Sequence, residues 1–214
     1  MLAFNPTKAL FLSPHTDDVE LGCGATLARL LENGTDVHVA AFSTAQQSLP
    51  AGMRPDTLRN EFLAAMAHYE LPDDKLHIFD YEVRRLSEYR QSILDNLIDL
   101  RNRIQPDVVF IPSSNDMHQD HQVINNESQR AFKNATLLGY ELPWNNTNFR
   151  TDLFFEVQER HLNLKLAALS EYKSQLVKER VYFKKSFILS LATVRGVQKS
   201  VNYAETFEVM SAIF

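Results

Sequence analysis

Two short stretches of the chain concentrate histidine and aspartate: Ser13-Pro14-His15-Thr16-Asp17-Asp18 and, far downstream, His118-Gln119-Asp120-His121. Two imidazoles and a carboxylate suit a borderline divalent cation without any thiolate. A catalytic tetrahedral zinc site takes three such donors and leaves a fourth position open for water. His15, Asp18 and His121 are the natural donor set, which leaves Asp17 and His118 free to handle protons. Taken singly, each stretch has a blander reading. A histidine after a strand is usually a capping or surface residue, and Asp-Asp before a helix is commonly an N-cap in a favourable dipole. Capping does not explain why both stretches, each with spare titratable groups, should converge on one place.

That convergence follows from the elements around them. Residues 9–13 are a short apolar run ending at Pro14, as expected of a buried strand. Residues 20–32 have Leu27, Leu30 and Leu31 on one helical face and stop at Asn33-Gly34. A strand is predicted over 36–43, a long loop over 44–56, a helix over 57–69 and a short strand over 76–79. The clearest helical period lies in 87–104, with Ile93, Leu97, Leu100 and Ile104 in register. A buried strand at 107–112, a helix at 121–133 and strands near 136–142 and 151–157 follow, then two helical stretches and a tail of no assigned type. Strands alternating with helices imply a Rossmann-like, doubly wound α/β fold, mostly parallel, with helices on both faces. We expect one domain over 1–214. In strand order 3-2-1-4-5 the first and fourth strands lie side by side at the switch point, where ligands bind beyond the carboxyl ends. Both His/Asp stretches fall there.

Composition narrows the partners. Of 214 residues, 44% are hydrophobic and 23% charged, ordinary globular values. The net charge of −5 gives no general attraction to nucleic acid or to an anionic membrane. A single cysteine, Cys23, excludes an intramolecular disulfide framework and fits a reducing compartment. No window reaches the roughly eighteen apolar residues of a membrane span, and no signal peptide is legible, so a cytoplasmic protein is expected.

The two motifs, Pro14-His15-Thr16-Asp17-Asp18 and His118-Gln119-Asp120-His121, resemble those of the LmbE-like, or PIG-L, family of N-acetylglucosaminyl deacetylases. The resemblance extends through Val19-Glu20-Leu21-Gly22-Cys23-Gly24, Arg59, Glu61, Asp80, Pro106-Asp107-Val108-Val109 and Tyr203-Ala204-Glu205-Thr206-Phe207. Thr16 stands where the family usually has proline and Ala25 where a second glycine is common, while loops 44–56 and 140–150 match nothing assignable. The resemblance implies one Zn²⁺ per chain held by His15, Asp18 and His121, Asp17 as general base and His118 as a stabiliser of the oxyanion. It implies a zinc-dependent hydrolase that frees an acetyl group from an N-acylated amino sugar or conjugate, and it is compatible with a homo-oligomer. Asp120, between two histidines, would orient one imidazole from behind or serve as a helix N-cap. Arg59 and Asp80 would hold sugar hydroxyls, or be a surface ion-pair residue and a turn residue. Trp144 could stack on a sugar ring, with packing the commoner role. Two other functions compete. A metal phosphoesterase would need further bridging carboxylates for a second ion, together with cationic contacts for the phosphate. A catalytically silent binding module of the same fold would have no use for the intact histidine and aspartate set.

Overall fold

A computed structural model describes residues 4–213. Its first half alternates as the periodicity predicts: β1 (Lys8–His15), α1 (Asp18–Glu32), β2 (Asp36–Ser43), α2 (Thr57–Ala67), β3 (Leu76–Ile78), α3 (Arg90–Ile104), β4 (Val108–Pro112), α4 (Gln119–Ala131) and β5 (Thr136–Tyr140). These five strands are parallel, and their order is 3-2-1-4-5. The chain continues through β6 (Leu153–Val157), α5 (Glu159–Leu169), a short α6 (Lys173–Leu176), α7 (Lys185–Val197) and β7 (Tyr203–Ser211).

Alternate residues of each strand face opposite sides of the sheet, and both sides are covered. Ala9 and Phe11 of β1 belong to a core formed with Leu27 and Leu30 of α1, Phe62 and Met66 of α2 and Leu162 of α5. Leu10 and Leu12 face the other way, onto Ile93, Leu97 and Leu100 of α3 and Ile124 of α4. Burial on both faces explains why these strands read as continuous apolar runs rather than alternating ones.

Beyond shifts of one to three residues at other ends, three features differ from expectation. β1 runs through Pro14 to His15, because its pairing with β4 ends at Phe11 and beyond that point only β2 lies beside it. A strand paired on one side tolerates proline as an edge does. α1 starts at Asp18 and is interrupted at Cys23, whose φ of −149° is not helical. The preceding Gly22 lets α1 lie against Tyr140, since a Cβ there would strike the tyrosine ring. The tail of no assigned type contains β7, which inserts antiparallel between β5 and β6. Its alternation is hidden by buried acids: Glu205 pairs with Lys165 at 2.7 Å, and Glu208 accepts from the Ser114 amide at 2.8 Å. Among the described residues no helix is long and apolar enough to cross a membrane.

A candidate metal centre at the switch point

β1 and β4 are neighbours, and the chain leaving each of them enters a helix whose first turn carries the polar residues. His15 is the last residue of β1, Asp17 the N-cap of α1 and Asp18 its first helical residue. His118 is the N-cap of α4, with Asp120 and His121 in the following turn. Asp17 makes no side-chain capping bond, so its carboxylate is not consumed by the helix start. Asp18 instead reaches back, accepting from the His15 amide at 2.8 Å. His118 caps α4 with its ring: Nδ1 accepts from the Asp120 amide at 3.2 Å. That bond leaves a neutral His118 with its proton on Nε2.

The three predicted donors meet. Asp18 Oδ2 lies 3.1 Å from His15 Nδ1 and 3.2 Å from His121 Nε2, and the two ring nitrogens are 3.3 Å apart. Donors about 2.0–2.1 Å from a tetrahedral zinc are separated by roughly 3.3 Å, so this triangle has the size of one face of such a site. His118 joins the same cluster, with His15, His118 and His121 each offering a ring nitrogen within 4.8 Å of the others.

Both candidate ligand rings are oriented from behind. His15 Nε2 lies 2.9 Å from Asp120 Oδ2, and that carboxylate also accepts from the Arg84 amide at 2.6 Å and the Leu86 amide at 3.3 Å. Asp120 therefore sits inside α4 with its carboxylate against the His15 ring, and the N-cap is His118. His121 Nδ1 lies 2.7 Å from Asp116 Oδ2, while Asp116 Oδ1 accepts from the His118 amide at 2.8 Å. Asp116 is absent from the expected set. Its only sequence signal is an acid in the polar stretch between β4 and α4.

The charges follow this wiring. Burial works against charge on His15, but the Asp18 carboxylate, helped by Asp120, outweighs it and the pKa rises to about 10. His121 rises to about 9, burial again being overcome by Asp18 and Asp116. Asp18 is held well below the usual carboxylate range, the two imidazoles prevailing over burial. Asp17 moves the other way, raised to about 6 by burial first and the charge of Asp18 second. His118 falls to about 4 through burial and then the charges of His15 and His121. A site that holds protons on two facing imidazoles around one carboxylate is equally built to hold a dication, which would release protons on binding.

The cluster opens into a cavity of about 390 Å³, whose walls include Thr16, Asp17, His118, Trp144, Lys178 and Arg180. Loop 44–56 contributes Ala45 and Ser48. Trp144 lies stacked on Tyr182 at 3.9 Å and 13°, so it both packs and lines the cavity. Two expected substrate contacts are elsewhere. Arg59 is exposed on α2 and is not one of the lining residues. Asp80, exposed, accepts from Thr44 Oγ1 at 2.6 Å and from Gln46 Nε2 at 3.0 Å, bonds that brace the loop after β2. Cys23 is buried, and burial pushes its thiol well above the usual range, so it is no nucleophile.

Comparison with known proteins matches this architecture. The chain is 31% identical over 171 residues to the uncharacterized deacetylase YaiS of Escherichia coli (strain K12), covering 77% of this chain and 90% of that protein. It superposes on the N,N'-diacetylchitobiose deacetylase of Pyrococcus horikoshii with a TM-score of 0.74 at 18% identity, covering 96% and 84% of the two chains. The 4-carboxy-2-hydroxymuconate hydratase GalB of Pseudomonas putida KT2440 is as similar in shape, with a TM-score of 0.77 at 20% identity and coverage of 97% and 98%. Shape alone thus admits more than one reaction. Residues 10–132, which carry both His/Asp motifs, match the PIG-L family, GlcNAc-PI de-N-acetylase, and with that match over more than half its length the chain belongs to the PIG-L family.

Proposed function

We propose that the protein is a zinc-dependent amidohydrolase that removes an acetyl or similar acyl group from an N-acylated amino sugar or a conjugate of one. The observation that carries this reading is the triangle of His15 Nδ1, Asp18 Oδ2 and His121 Nε2, with edges of 3.1 to 3.3 Å. These three residues would hold the ion. Zinc there would supply Lewis acidity, polarising an acyl oxygen and lowering the pKa of water from about 15.7 to roughly 7.

The remaining steps belong to side chains. Asp17, unspent on capping and on the cavity wall, accepts a proton as the attacking water oxygen bonds to the acyl carbon. It returns that proton to nitrogen as the C–N bond breaks, giving the carboxylic acid and the free amine. His118, neutral and carrying its proton on Nε2, donates to the acyl oxygen as negative charge develops there. The loss of one such donor typically costs about a hundredfold to a thousandfold in rate. The Asp120 amide bonded to Nδ1 holds the His118 ring in that neutral tautomer.

Two features weigh against the competitors. Among the described residues there is one cluster of metal donors, not the paired ions of a two-metal phosphoesterase. The relative that is 31% identical carries the name deacetylase, whereas the likeness to the hydratase is one of fold. The test is acetate release from a panel of N-acetylated amino sugars by the zinc-loaded protein. Activity should vanish with a chelator and return with zinc, and Asp17→Asn should keep the ion while losing about 10²–10⁴-fold in turnover. A folded, zinc-loaded protein that frees no acetate from any of them overturns the proposal.

A further inference from the structure

The chain carries a net charge of −5, yet the cavity wall holds three cations, Arg84, Lys178 and Arg180. The carboxylates that line it are Asp17 and Asp18, and Asp18 is already shared between two imidazoles. The contacts of the cations are with neutral oxygens. Lys178 Nζ donates to the Ser48 carbonyl at 2.9 Å and to Gln175 Oε1 at 3.0 Å, and Arg180 donates to the Tyr182 hydroxyl. A guanidinium has five N–H donors in a fork that matches phosphate and carboxylate oxygens, so most of the donors of Arg180 remain for a ligand.

The backbone goes to some cost to place these groups. Arg84 has φ +68°, and Glu179, which turns the chain between Lys178 and Arg180, has φ +50°. Ala45, also on the cavity wall, has φ +48°. Left-handed conformations are uncommon for residues other than glycine and cluster where a site over-determines them. Three of the six such residues among the described residues are in the cavity wall or join two of its members. Burial, then the nearby charge of Arg180, lowers the pKa of Lys178 against the opposing charges of Asp17 and Glu61. Beside them Trp144 and Tyr182 form a flat aromatic wall, with the Arg180 guanidinium 5.6 Å from the Tyr182 ring centre.

We infer that Arg84, Lys178 and Arg180 form an anion subsite, and that the substrate is an N-acylated amino sugar bearing a phosphate or carboxylate group, its ring against Trp144 and Tyr182. This rests on the amidohydrolase reading above and specifies its substrate. The anionic group is recognised and leaves the reaction unchanged, while the amide is hydrolysed at the metal centre.

The zinc-loaded protein would be assayed for acetate release from N-acetylglucosamine and its methyl glycoside, from the 1- and 6-phosphates, and from N-acetylmuramic acid, which carries a carboxylate. At least one anionic substrate should exceed the neutral ones by about tenfold or more in kcat/KM, chiefly through KM. The phosphate and carboxylate arms tell which anion is read. The advantage should shrink in about 0.5 M KCl, since partly exposed charges are screened. Arg180→Gln, Arg84→Gln and Lys178→Gln should each lower the ratio of anionic to neutral kcat/KM by roughly threefold to tenfold. An active enzyme that prefers no anionic substrate, or a triple variant with an unchanged ratio, overturns the subsite and leaves the hydrolase reading standing. If no substrate is turned over, binding decides separately. Trp144 is the only tryptophan of the chain, so its fluorescence reports the cavity. N-acetylglucosamine 6-phosphate or N-acetylmuramic acid binding more tightly than N-acetylglucosamine, with the difference lost in Arg180→Gln, supports the subsite. Equal or absent binding overturns it.

Discussion

Replacing Asp116 with asparagine tests whether the metal centre depends on the group behind His121. Asp116 Oδ2 accepts from the His121 side at 2.7 Å and, more weakly, from Asn145 Nδ2 at 3.4 Å, and Oδ1 accepts from the His118 amide at 2.8 Å. Asparagine keeps one acceptor and puts an NH₂ where the other stood. If the NH₂ faces His121, it stabilises the tautomer with the proton on Nε2 and removes the lone pair directed at Asp18 and His15. If it faces the His118 amide, two donors oppose each other at the start of α4. Either outcome strains a buried site, and loss of such a supporting partner typically costs about 10- to 100-fold in metal affinity. That range corresponds to roughly 1.4–2.7 kcal/mol. Asp120→Asn should cost less. Its Oδ2 serves His15 and Arg84 at short range, and an NH₂ can be turned toward the Leu86 amide, whose bond is only 3.3 Å. Zinc affinity would be measured by competition with a chelating dye near neutral pH, with urea unfolding of the metal-free proteins as a control for folding. A folded Asp116→Asn protein binding zinc within about twofold of wild type, or Asp120→Asn weakening it more, would refute the reasoning.

His121→Ala removes a corner of the donor triangle and should lose stoichiometric zinc, and a full equivalent in the purified variant would show the ligand set to be wrong. His77, half-buried on β3 and stacked on His38, is lowered to about 4 by burial and then by the charge of His38. The unfolded chain binds this proton below about pH 6.5 and the folded one does not, so stability is full above that value and falls as pH drops toward 4. Discounted for solvent exposure, the loss amounts to about 1–2 kcal/mol. Urea unfolding at pH 7 and pH 5 should show a smaller difference in His77→Gln, and an unchanged difference would remove His77 as its source.

The metal corner was legible in the sequence because each donor stands within a few residues of a strand end, where topology rather than side-chain detail decides who meets whom. Parallel βαβ winding brings His15 and His121 together whatever the loops do. Asp116 was not legible, since a single acid in a polar stretch carries no period and its partner is chosen by a turn. Arg84, Lys178 and Arg180 were hidden for the same reason, their direction being set by loop backbone in left-handed conformations. The converse holds for Arg59 and Asp80. Positions matched by resemblance lie in the expected elements, but Asp80 is held by Thr44 and Gln46 and Arg59 is outside the cavity lining. β7 escaped because period-2 patterning presumes that buried positions are apolar, and here Glu205 and Glu208 are buried and satisfied from other parts of the chain.

The position of β7 sets a schedule for biogenesis. Among the described residues β6 has no neighbour but β7, and β5 has none on that side until β7 arrives. The same strand carries Glu208, which ties down Ser114 at the head of the segment that leads to Asp116 and His118. As the chain emerges from the ribosome, every candidate metal donor is therefore made long before the strand that steadies its surroundings. A nascent chain stalled ahead of residue 203 would present an open sheet margin to chaperones and self-association.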